Sequence, residues 1–179
     1  FDAYDNSDGL SKVITTLNKY DINPTFFING EFIKRYPSET KQISIYNFDC
    51  ASMFFSAIDL TDNAFVIDED FIRRGLARNE DEFYQITKKE LSLFWHTPFF
   101  VKNQMILSAG EKTGYIYVDI PEELLQLQTN SANDNIEDLL SKYINCVKEN
   151  NAIVLPIQIG YSSQENKNLL YQHLDILIC

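Results

Sequence analysis

Apolar positions along the chain change period repeatedly, and each change marks an element. Leu10, Val13, Ile14 and Leu17 recur at helical spacing, with Asp8 placed to cap that helix. Pro24–Asn29 is a short β-prone run, and a second helix follows from Gly30 through Phe32, Ile33 and Tyr36, with a break or bend at Pro37. Phe48–Phe55 reads as a strand and its exit. Asp68–Thr87 is charged with apolar insets at Phe71, Ile72, Leu76, Phe83 and Ile86, the pattern of a long surface helix. The alternation continues with a strand at Leu91–Trp95, a helix at Gln104–Lys112 and a strand at Gly114–Asp119. A helical stripe follows through Ile136, Leu139, Leu140, Tyr143 and Val147, then a strand at Ala152–Pro156 and a last helix at Asn168–Ile178. The polar stretch Gln126–Asn135 reads as a loop within one domain.

Short apolar strands alternating with helices predict an α/β fold, a parallel sheet covered by helices. The strands are nearly continuous apolar runs, as expected when both faces are buried. A first strand ends at Phe1. An open doubly wound sheet and a small irregular barrel both fit this pattern. The length of 179 residues suits a single domain spanning 1–179.

Composition narrows the functions. Lys plus Arg is 15 and Asp plus Glu is 26, a formal charge of −11, which repels nucleic acid and anionic membrane surfaces. No apolar run approaches the ~20 residues of a membrane-spanning helix. The three cysteines, Cys50, Cys146 and Cys179, are far apart and form no zinc-ligand spacing with histidine. The chain opens on Phe1 rather than Met and closes on Cys179 inside an apolar pattern, so both ends read as truncated, with flanking domains expected in a longer protein.

In either α/β architecture, chemistry gathers at the carboxyl ends of the strands. That rule brings Asp2, Tyr4, Asp5, Asn29, Met53, Asp59, Trp95, His96, Phe99, Asp119 and Gln158 to one rim. Carboxylates beside flat aromatic faces suit sugar rings. Tyr4, Asp5, Asp59, Trp95 and Phe99 are the candidate substrate-binding residues, and Asp2 and His96 the candidate catalytic ones.

The segment Asp8–Pro37 resembles the opening of the polysaccharide deacetylases, the NodB-homology family. It carries a helix ending L-x-x-Y-x-I, then Pro24-Thr-Phe-Phe-Ile-Asn-Gly30, then a helix reaching Tyr36-Pro37. Asp59-Leu60-Thr61 matches the D-L-T that follows the family's second motif, Trp95–Phe100 falls where R-P-P-Y/F is expected, and Gly114-Tyr115 matches the next strand start. The resemblance implies a distorted (β/α) barrel, hydrolysis of N-acetyl groups on a glycan, and an extracytoplasmic or cell-envelope location. Such chemistry uses an Asp as base and a second Asp with two His around a divalent metal that polarises the acetyl carbonyl. A later His protonates the leaving amine.

Carried across, Asp2 matches the first Asp, but Ala3 stands where the second is expected. Met53 and Ala57 occupy the H-x-x-x-H positions, and no His lies near Ile157 or Gln158. The chain contains only His96 and His173. No cofactor is therefore expected, and a zinc-like ion would need a site rebuilt from His96 and nearby carboxylates such as Asp5, Asp59 and Asp62. Three functions follow: a hydrolase with a relocated site, a catalytically silent module binding N-acetylated glycan, or a structural docking domain.

Overall fold

The computed structural model describes residues 1–46, 48–122, 124–125, 136–149, 154–160 and 170–178. Five parallel strands form one sheet in sequence order: β1 (Asp2–Ala3), β2 (Thr25–Ile28), β3 (Asp49–Ser52), β4 (Phe94–Trp95) and β5 (Ile116–Tyr117). On the far side of β1, Gln158 bridges to Asp2, and the backbone amides of Asp2 and Ile159 bond across to Ile157 and Asp2. A sixth strand position thus begins to wrap the sheet into a barrel.

Helices α1 (Leu10–Tyr20), α2 (Gly30–Arg35), α3 (Pro37–Ile45), α4 (Glu69–Thr87) and α5 (Gln104–Lys112) connect the strands. Beyond β5 come α6 (Ile136–Glu149) and α7 (Leu174–Ile178), the latter entered through a 3-10 turn at Leu170–His173. The expected bend at Pro37 is a full break: Pro37 starts α3, because proline suits a first helical turn but not a helix interior. Asp8 does not cap α1. Gly9 holds that position without a side-chain bond, and the Asp8 backbone amide instead donates to Asn6 Oδ1. The strands at 94–95 and 116–117 are shorter than their apolar runs, which continue as irregular chain. The stretch 126–135 and residues 152–153 lie outside the described residues.

Register decides which side chains share a face. Asp2, Phe27 and Ala51 lie side by side, while Ala3, Ile28, Ser52, Trp95 and Tyr117 form the adjacent row. Successive residues of a strand point to opposite faces, so the first row faces the barrel interior and the second faces the helices. The interior cluster is small: Tyr4, Phe27, Ala51 and Met53, with Ala57 and Val118 against it. The helix side carries the larger cores, one under α1–α3 built from residues such as Val13, Leu17, Phe26 and Phe32, and one under α4 and α5 around Phe54, Leu76 and Trp95.

Candidate functional site

Asp2 opens β1, so the first strand begins where the sequence pattern expects it to have ended at Phe1, and His96 directly follows β4. Both lie inside the barrel and are almost fully buried, at 3% and 1% exposure. His96 Nε2 lies 3.3 Å from Asp2 Oδ1, and Nδ1 lies 2.9 Å from the Thr97 carbonyl. A carbonyl only accepts, so Nδ1 carries a proton and Nε2 is the nitrogen that shares one with Asp2. The imidazole stacks on Phe100 with centroids 4.2 Å apart and tilts against Phe27 at 4.5 Å. Asp2 Oδ2 is buried with no hydrogen-bond partner among the described residues. Beside the pair, Phe27, Phe100, Val118 and Leu155 line a cavity of about 20 Å³, room for roughly one water molecule and none for a sugar ring. A wider hollow of about 330 Å³, walled by Phe27, Phe94, Val118 and Val154, opens at the amino ends of the strands instead.

The segment after His96 closes over the pair. Pro98–Phe100 makes a 3-10 turn in which Phe99 and Phe100 both take left-handed backbone angles, φ 59° and 56°. Such angles cost a residue with a Cβ about 1–2 kcal/mol each. Local bonds hold the turn. The Thr97 hydroxyl donates to the Val101 carbonyl at 2.5 Å, which leaves Tyr117 to donate its own hydroxyl to Thr97 Oγ at 3.0 Å. Burial raises the Tyr117 pKa and keeps that phenol protonated. The Phe99 amide donates to Tyr4 Oη at 3.0 Å, and the Tyr4 and Phe99 rings stack at 5.7 Å.

The candidate residues separate accordingly. Asp2, His96 and Tyr4 converge inside the barrel, and Phe99 stands half-exposed at its mouth above Tyr4. Trp95 does not join them. It is fully buried on the helix-facing row, edge-on to Tyr117, and packs on α5 so closely that a Cβ at Gly110 would lie 2.5 Å from its ring. This corrects the expectation of Trp95 at the rim: Trp95 and His96 are consecutive, so only one can face the interior. Asp59 caps its own turn, accepting from the Thr61 amide at 2.7 Å and hydroxyl at 2.6 Å. Asp5 is half-buried beside the β1 exit. Phe100 and Phe27 are the rings against His96. Phe27 shares a register row with Asp2 and Phe100 belongs to the Trp95–Phe100 segment, but only long-range packing makes them partners of His96.

The positions that the resemblance assigns to metal ligands do not fit an ion. Met53 and Ala57 sit in the apolar interior cluster with Tyr4 and Phe27, and Ala3 is fully buried in the cluster under α1. A thioether is a poor donor for hard or borderline cations, and a methyl group is none. Among the described residues, no three His, Cys, Asp or Glu side chains gather to hold a metal ion.

Fold and site together define a parallel α/β barrel that encloses a buried carboxylate–imidazole pair. Residues 1–118 match the polysaccharide deacetylase family model, and the chain belongs to that family. The peptidoglycan-N-acetylmuramic acid deacetylase PdaA of Bacillus subtilis is 30% identical over 104 residues, which are 58% of this chain and 38% of that protein. An uncharacterized 30.6 kDa protein of Geobacillus stearothermophilus is 27% identical over 105 residues, 59% of this chain and 38% of its own. The matches thus span less than two-fifths of these relatives.

The structure of PdaA, a family 4 carbohydrate esterase, superposes with a TM-score of 0.76 at 22% identity, over 99% of this chain and 72% of that one. A CE4 family pseudoenzyme from Bacillus anthracis superposes at 0.72 with 14% identity, over 97% and 59%. A mutant of the same pseudoenzyme, described as having restored enzymatic activity, gives 0.73 at 14% identity over 97% and 60%. At these identities the likeness is one of fold, and the fold is the distorted (β/α) barrel of the polysaccharide deacetylases.

Proposed function

We propose that residues 1–179 form a single polysaccharide deacetylase-like domain that binds N-acetylated glycan at the barrel mouth without carrying out metal-dependent deacetylation. One observation carries this reading. The positions expected to hold the ion are Ala3, Met53 and Ala57, and the latter two belong to an apolar interior cluster rather than a polar pocket. The half-exposed Phe99, backed by the buried Tyr4 ring, supplies the stacking surface for a sugar ring. The existence of a family pseudoenzyme with the same fold supports the reading, and PdaA's own substrate, peptidoglycan, supports a cell-envelope glycan and an extracytoplasmic location.

A second reading, amide hydrolysis by a site rebuilt on Asp2 and His96, rests on their 3.3 Å contact. The burial of both groups opposes it. Two measurements separate the readings. Dialysis against zinc or cobalt followed by metal analysis is expected to leave less than one tightly held ion per chain, and chito-oligosaccharides are expected to release no acetate. Glycan binding that weakens in Phe99→Ala, with no acetate formed, is the result anticipated. Stoichiometric metal with acetate release would overturn the proposal, and a complete lack of glycan binding would point to a docking domain.

A further inference from the structure

We infer that Thr97–Val101 is a strained strap that gates the Asp2–His96 pair, held shut by the Tyr4 hydroxyl. Asp2 opens β1 and His96 directly follows β4, so the pair sits within the barrel, and both side chains are nearly inaccessible. The strap covers them on one side, while Phe27, Val118, Leu155 and Pro156 close the rest of the small cavity beside them. The strap's Phe100 ring lies flat on the imidazole, and its Thr97 carbonyl accepts a hydrogen bond from Nδ1.

Two opposing influences meet in this strap. Consecutive left-handed angles at Phe99 and Phe100 favour opening, because ordinary side chains avoid that conformation. Burial of Phe100, the Thr97–Val101 and Thr97–Tyr117 bonds and the Phe99–Tyr4 bond favour closure. The last of these ends on a half-exposed residue, so it is the bond that a ligand at the mouth can compete for. When it breaks, Phe99 and Phe100 can return to extended angles, and that movement lifts the ring from His96. Strain that resists a set of local bonds in this way makes a two-state element rather than a fixed wall. This inference rests on the strap's geometry and stands apart from whether the bound molecule is a glycan.

Substitutions at Phe99 separate backbone strain from ring loss. Phe99→Gly removes the ring but adopts left-handed angles freely, whereas Phe99→Val removes the ring and resists those angles. The probe is diethyl pyrocarbonate, which modifies unprotonated imidazole nitrogens, read peptide by peptide, with half-buried His173 as the internal reference. His96 modification is expected to slow at least threefold in Phe99→Gly and to quicken at least fivefold in Phe99→Val, with His173 unchanged. Tyr4→Phe, which removes only the hydroxyl, keeps the test decisive if the Val variant does not fold, and is expected to quicken His96 at least threefold. Equal His96 rates in all variants, or acceleration by Gly and Val alike, would overturn the inference.

Discussion

At the scale of single residues, the decisive contact is a buried carboxylate against a buried imidazole. Breaking such a pair by removing one partner leaves the other group desolvated and unmatched, at about 3–5 kcal/mol. His96→Leu is therefore expected to lower the unfolding free energy by about 3 kcal/mol in urea titration. The double variant Asp2→Leu with His96→Leu is expected to lose less than the sum of the two single losses. The vanished ligand positions obey the same physics. Ala3→Asp alone would place a carboxylate in an apolar cluster and is expected to destabilise by about 3 kcal/mol. Added zinc is expected to recover stability only when Met53→His and Ala57→His accompany it. A thermal melt with and without the ion reads this directly. Cys50 shows the same penalty in milder form: burial pushes its thiol up to about 12. Iodoacetamide at neutral pH is expected to label half-buried Cys146 well before Cys50 in the native protein.

At the scale of elements, the charged pattern of 68–87 predicts a surface helix, and the charged face of α4 agrees with it. Asp68 caps it through the Phe71 amide at 2.7 Å, and Arg73, Arg74 and Arg78 pair with Asp70 and Glu82 along its exposed side. Its apolar insets Ile72, Leu76 and Phe83 are buried as their spacing predicts, but a polar anchor beside them is not legible in the sequence. Asn79, fully buried, donates to the Ile28 carbonyl and to Ser52 Oγ, both at 2.9 Å, and so ties α4 to the ends of β2 and β3. Asparagine in a charged run gives no hint of this, because its partners lie 51 and 27 residues away. Asn79→Ala removes two buried hydrogen bonds, leaving the Ile28 carbonyl only the Met53 amide at 3.2 Å, and is expected to cost about 2 kcal/mol by urea titration. Helix α5 makes a comparable point. Gly to Ala within a helix ordinarily stabilises by up to ~1 kcal/mol, but the Trp95 ring fills the space beside Gly110. Gly110→Ala is expected to destabilise by about 1–3 kcal/mol, the range for overpacking.

Across the whole molecule, the chain's two ends are joined where α7 meets α1. Asp175 lies 2.8 Å from Lys19 and 3.6 Å from Lys12. The hydrogen bond from Lys19 is the main cause that holds the Asp175 carboxyl below its ordinary range, and the same bond raises Lys19. A lowered carboxylate contributes stability above its unfolded value, near 4, and loses it as pH falls through the folded value. A raised lysine contributes below its unfolded value, near 10.4, and loses it as pH rises through the folded one. The stability difference between wild type and Lys19→Met is therefore expected to be level from about pH 5 to 9 and to vanish at strongly acid pH; it stays small because the pair is exposed. Hydrophobic period, turn residues and the Asp8–Pro37 motif determined the strand–helix alternation and the family, since these depend on residue type and local spacing alone. Tertiary structure decided the rest. Strand register turned His96 inward and Trp95 outward, long-range contact paired Asp2 with a residue 94 positions away, and backbone angles that no pattern encodes folded Phe99 and Phe100 over that pair.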